Sequence, residues 1–195
     1  MWDLIAVVVN FLGLCPADMA PIKYFCIDKY EAPNVKGAFP LVMQSAIDAQ
    51  TWCKERGKRL CTEYEWDTAC EISSGPCNND KQWIPWSKNW RHDELWQGSR
   101  SGSYVNCRTS SGVYDLIGNV EEWVISRKGR DWPYTLKGGW WAHAVSSCYK
   151  SNDFHEPTFQ FYETGMRCCR SLKIVDLVQF KNGIFKMDNL LSYSY

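Results

Sequence analysis

Two carboxylates, Asp115 and Glu122, flank the pair Gly118-Asn119. Carboxylate oxygens around a tight turn, with backbone carbonyls freed by irregular structure, are hard donors suited to a flexible calcium shell. The competing reading makes them solvated charges beside the turn, with Trp123 buried below. Glu121 and Glu122 do not suit a glycosidase acid and base, because alternation along a strand sends adjacent side chains to opposite faces.

Sulfur is the second source of chemistry. The chain has ten cysteines, an even number and too many for a compartment that keeps thiols reduced, so disulfides in an extracytoplasmic setting, periplasmic or secreted, are expected. Zinc is the rival explanation, but no Cys-x-x-Cys occurs and the only adjacent pair is Cys168-Cys169. The three histidines, His92, His143 and His155, show no ligand spacing. A nucleophile elbow, a phosphate-binding Gly loop, a zincin helix and a Rossmann fingerprint are all missing, which leaves hydrolase and nucleotide chemistry without support.

Charge narrows the partners. Twenty-two Lys plus Arg balance twenty-two Asp plus Glu, so the basic field that accompanies nucleic-acid or anionic-membrane binding is lacking. A length of 195 residues suits one domain with a single core. Eleven Trp scattered among thirteen Gly point to indoles packed under irregular segments, and core filling accounts for most of them.

These residues need elements to hold them. Residues 45–56 read as a helix: Ser45 is the N-cap, Ala46, Ala49 and Cys53 share a face, and Gly57 closes it. A second helix follows, since Thr62-Glu-Tyr-Glu65 has the capping-box pattern and Trp66, Ala69 and Cys70 form its inner stripe. Residues 73–112 lack periodicity and predict a long loop that needs a brace, for which Cys77 and Cys107 near its ends are candidates. Short strands are expected at residues 122–125 and 134–141. Residues 1–21 contain an apolar run, Leu4-Ile-Ala-Val-Val-Val9 with Phe11-Leu-Gly-Leu14, that fits a partial export signal or a buried first strand. No other segment has the length and apolarity of a transmembrane span. Residues 171–195 alternate apolar and polar around Asn182-Gly183, predicting a β-hairpin packed on the same domain.

Five segments together carry a resemblance: Cys26-Ile-Asp-Lys-Tyr-Glu-Ala-Pro-Asn34, Gly57-Lys-Arg-Leu-Cys-Thr-Glu-Tyr-Glu-Trp66, Gly118-Asn-Val-Glu-Glu-Trp123, Lys137-Gly-Gly139 and Gly165-Met-Arg-Cys168. In order and spacing the chain resembles the formylglycine-generating enzyme, or sulfatase-modifying factor, family over residues 22–170. The resemblance implies a C-type-lectin-like α+β fold, with a small twisted antiparallel sheet core, two helices and much irregular loop. It implies a structural calcium ion held by the Asp115 side chain, the Gly118 and Val120 carbonyls and the Glu122 carboxylate. It also implies disulfides joining Cys53 with Cys168 and Cys70 with Cys148.

Active members of the family hold copper between two cysteines a few residues beyond Lys-Gly-Gly and use oxygen to convert a substrate cysteine to an aldehyde. Counted forward from Lys137, the metal positions fall on His143 and Cys148, which leaves a copper-dependent oxidoreductase as the alternative function. Counted back from Cys168, Cys148 becomes the disulfide partner of Cys70 and both copper ligands are lost. The second alignment is preferred, because a buried helix cysteine needs a partner and an oxidised pair cannot bind metal as thiolates. Trp140 also stands where the active motif has a serine. The expected function is therefore a divergent, calcium-braced module that binds a small-molecule ligand or a protein or peptide, without nucleic acid. Trp141, His143, Tyr149, His155 and Phe159 are its candidate recognition residues, being types enriched at hot spots.

Overall fold

The computed structural model describes residues 15–70, 77, 98–141 and 147–172. Among them are two helices, α1 (Ala46–Glu55) and α2 (Glu63–Ala69), and eight short strands. The strands are β1 (Met19–Ile22), β2 (Phe25–Asp28), β3 (Arg59–Leu60), β4 (Glu121–Ile125), β5 (Tyr134–Lys137), β6 (Ser151–Asn152), β7 (Thr164–Met166) and β8 (Cys168–Ser171). They form one sheet of order β1-β2-β8-β3 and a second of order β6-β5-β4-β7. The first is antiparallel, whereas β4 and β7 of the second run parallel, so the expected α+β fold is present with one mixed sheet instead of a purely antiparallel core.

Both helices start where local chemistry places them. Ser45 accepts from the Asp48 amide while the Asp48 carboxylate accepts from the Ser45 amide, closing a capping box absent from the sequence expectation. Thr62 and Glu65 close the second box. Each satisfies two amides that the first helical turn leaves orphaned. Ala46, Ala49 and Cys53 are buried on α1, and Trp66 and Ala69 on α2.

β5 is shorter than the expected strand and ends at Lys137. Gly138 and Gly139 both take left-handed backbone conformations, at φ 87° and 70°, which turn the chain out of the sheet. A Cβ at Gly138 would lie 2.5 Å from the Leu116 carbonyl oxygen, so this glycine lets β5 close against the turn before β4. At the N-terminal side, β1 begins at Met19 and pairs with β2, so residues 19–21 lie in the first sheet. The apolar run at residues 4–14 lies outside the described residues. So does the expected C-terminal hairpin beyond Leu172, while Ser171 itself belongs to β8.

All ten cysteines pair: Cys15 with Cys26, Cys53 with Cys168, Cys61 with Cys169, Cys70 with Cys148 and Cys77 with Cys107. The adjacent Cys168 and Cys169 reach different partners because successive strand residues point to opposite faces. Cys168 ties β8 to α1, and Cys169 ties it to Cys61 at the end of β3. Cys77–Cys107 closes the long loop as anticipated.

Candidate functional site

The turn leading into β4 is built from three left-handed residues, Asp115 (φ 57°), Gly118 (φ 79°) and Asn119 (φ 62°). Among the described residues, neither the Gly118 nor the Val120 carbonyl accepts a turn or loop hydrogen bond. Asn119 locks the turn from below. Its amide nitrogen donates to both oxygens of Glu31 at 2.9 Å, and its carbonyl accepts from the Ser99 amide at 2.7 Å. The Gly102 amide donates to Asp115 Oδ2 at 2.6 Å.

Beneath the turn lies Arg167, wholly buried between the sheets. Its Nε donates to Glu122 Oε2 at 2.7 Å and its Nη2 to Glu122 Oε1 at 2.6 Å. Its remaining donors reach the Asp28 and Tyr114 carbonyls. Trp66 Nε1 also donates to Glu122 Oε2, at 2.7 Å. Glu122 Oε2 therefore takes two donors and Oε1 one, which leaves Oε1 a lone pair. Three buried carboxyls, Glu31, Asp115 and Glu122, thus face one guanidinium. Burial raises Asp115 to about 6, and burial together with the charges of Asp115 and Glu122 holds Glu31 well above the usual carboxylate range. Among the described residues no group of three or more His, Cys, Asp or Glu side chains is placed to hold a metal ion; the Asp115 and Glu122 carboxyls and the Gly118 and Val120 carbonyls are nonetheless hard oxygen donors of the type a calcium ion takes.

Glu121 faces away from this cluster, as strand alternation requires. Its carboxylate accepts from Asn152 Nδ2 at 3.1 Å, and its amide donates to the Glu163 carbonyl at 2.8 Å. Lys137, ahead of the Gly pair, is buried, pairs with Asp67 at 2.8 Å and sits 5.3 Å from the Trp66 ring centre. It ties β5 to α2.

The copper candidates divide. Cys148 is bonded to Cys70, so its sulfur is not a thiolate, and His143 lies outside the described residues. The recognition candidates divide as well. Trp141 is only 2% exposed and packs with Val120 and Tyr162, which makes it core and not surface. Tyr149 is 86% exposed. His155 stacks on Phe159 with ring centres 3.7 Å apart, and Phe159 continues to Phe161. Met43, Ile47, Phe154 and Phe161, all exposed, extend that surface and were not singled out by residue type. The signal that could have found them is the aromatic spacing of Phe154, Phe159 and Phe161 in a stretch without lysine or arginine.

Comparison with known proteins gives a consistent picture. The model of the sulfatase-modifying factor enzyme 1-like domain family matches residues 21–172. A protein named inactive C-alpha-formylglycine-generating enzyme 2, from Bos taurus, is 36% identical over 105 residues, 46% of this chain and 33% of that protein. The aligned region thus spans about a third of that relative's length. Among solved structures, PvdO from Pseudomonas aeruginosa superposes with a TM-score of 0.52 at 19% identity, covering 76% of this chain and 80% of that one. The Major Tropism Determinant I1 variant does so with a TM-score of 0.58 at 15% identity, covering 81% and 53%. At such identities these two structures speak to fold alone.

Proposed function

Because the chain belongs to the sulfatase-modifying factor enzyme 1-like domain family, we propose that it uses the family scaffold as a non-catalytic, extracytoplasmic module that binds a ligand or partner protein, with calcium bracing the turn from Asp115 to Glu122. The observation that carries the non-catalytic reading is the Cys70–Cys148 disulfide. Cu(I) is held by soft thiolates, and a sulfur already oxidised into a disulfide supplies none. Trp140 adds to this, since an indole stands where the resemblance puts a serine. Relatives named inactive agree with it. The extracytoplasmic reading draws on the pairing of all ten cysteines. Among the described residues, no helix is long and apolar enough to cross a membrane.

Calcium would be held by the Asp115 carboxylate, the Gly118 and Val120 carbonyls and the remaining lone pair of Glu122 Oε1. Its contribution is charge neutralisation and a fixed loop. Glu122 keeps its bond to Arg167, which orients the carboxylate.

The test is incubation of the purified, copper-loaded chain with a cysteine peptide and oxygen, read by mass spectrometry. No aldehyde product and substoichiometric copper retention are expected. Aldehyde formation with one retained copper per chain would contradict the non-catalytic reading.

A further inference from the structure

One face of the molecule carries a row of exposed apolar groups that ends at two carboxyls without a lysine or arginine partner among the described residues. The Met43 amide donates to the Phe161 carbonyl at 3.0 Å and the Ala46 amide to the Pro157 carbonyl at 3.0 Å, which lays residues 157–161 along the start of α1. Met43 (46% exposed), Ile47 (49%) and Phe161 (38%) line this face, and the row continues through the stacked Phe159 and His155. Phe154, 91% exposed, lies two residues past the end of β6. Residues 39–52 and 151–166 supply the surface. Their own carboxylates are Asp48, Asp153, Glu156 and Glu163; Asp48 is held by Ser45 and Asp153 by Arg130, while Arg56 and Arg100 stack on Trp52 and Phe39 at the edges of the segments.

The aromatic row ends at a carboxyl pair. Phe161 and Tyr162 pack with ring centres 4.3 Å apart, and Glu163 follows them into the junction with β4. There its carbonyl holds the Glu121 amide, and the two carboxyls feel each other's charge. Among the described residues, the buried Glu163 Oε2 has no hydrogen-bond partner and the Glu121 carboxylate is bonded by the Asn152 amide alone. Among the described residues, no lysine or arginine pairs with either. A buried carboxyl oxygen left without a donor is costly, and burial accordingly lifts Glu163 to about 8. Trp140 lies against Tyr162, with ring centres 5.7 Å apart, so aromatic rings stand beside the pair, an arrangement that favours a cation.

We propose that this face docks a basic segment of a partner protein, whose lysine or arginine meets Glu163 and Glu121 while its apolar or aromatic residues cover Met43, Ile47 and Phe161. The assignment rests on the binding-module reading above and names the partner's chemistry. Charge complementarity at Glu163 and Glu121 selects this occupant: a second copy would bring the same carboxyl pair and no cation to meet it. The exposed aromatic groups supply the apolar anchor that a purely ionic contact would lack.

The test uses the full chain and a fluorescein-labelled hexapeptide of alternating lysine and phenylalanine, read by anisotropy. Matched glutamate-phenylalanine and lysine-serine peptides serve as controls. The basic aromatic peptide should bind about tenfold or more tighter than either control, and added salt should weaken it. Glu163→Gln and the surface variant Phe161→Ser should each cost about tenfold while the melting curve shows both folded. Equal binding of all three peptides, no binding, or wild-type affinity in the folded Glu163→Gln variant would overturn the proposal. Aldehyde formation on a cysteine peptide would contradict the non-catalytic reading but not this docking site, so the two failures are distinguishable.

Discussion

Arg167 decides more than any other single side chain. Among the described residues it is the cation that faces three buried carboxyls, and it also donates to the Asp28 and Tyr114 carbonyls. Replacing it with leucine leaves that charge unpaired, and removal of one partner from a buried ion pair typically costs about 3–5 kcal/mol. Urea unfolding of Arg167→Leu should show a loss of that order, and a loss below about 1 kcal/mol would mean that the cluster is solvated. A second prediction concerns Glu163. Its folded value, about 8, lies above the ordinary 4.5, so the folded state holds the proton more tightly than the unfolded chain. Stability from this group is full below about pH 4.5 and is lost as pH rises through about 8. The melting temperature should therefore decline over that window, and Glu163→Gln should flatten the decline; an unchanged slope would contradict the assignment. Sequence could not reveal this hub, because Arg167 and Glu122 lie 45 residues apart and Glu31 and Asn119 lie 88 apart. Residue type alone also misjudged Trp141, since aromatic residues in glycine-rich loops carry no periodicity to separate core from surface.

Elements were more legible where their signals are local. Ser45 and Thr62 mark helix starts through bonds that span three residues, so a sequence pattern is sufficient to find them. Strand ends were harder, because the stop after Lys137 depends on how closely β5 approaches the Leu116 carbonyl, a contact between separate segments. That approach makes Gly138 a sensitive position. Gly138→Ala combines a left-handed backbone with a contact to a carbonyl oxygen, and the backbone strain alone is worth about 1–3 kcal/mol. Thermal unfolding should register a loss at least that large, whereas a neutral result would place the turn further from β5 than described. Three of the cysteine pairings could be anticipated, two of them by resemblance and one from the span of the loop. Cys15–Cys26 and Cys61–Cys169 were not, because their partners meet only once β1, β2, β3 and β8 have paired.

At the scale of the molecule, five disulfides and a buried ionic hub hold the two small sheets of the described residues. Such a scaffold gains from a cation that fixes loop carbonyls. Chelation should lower the melting temperature, with calcium restoring it and magnesium, which prefers a stricter octahedral shell, doing so less well. Absence of any shift would count against the Asp115 to Glu122 turn as a calcium site. We propose that Cys148, held in its disulfide with Cys70, closes off the copper chemistry of the family in this chain. Alkylation of the native protein followed by non-reducing peptide mapping tests it most directly. The predicted result is a crosslinked peptide joining Cys70 to Cys148, with no alkylated Cys148. Recovery of Cys148 as an alkylated free thiol, with Cys70 also unpaired, would contradict the account.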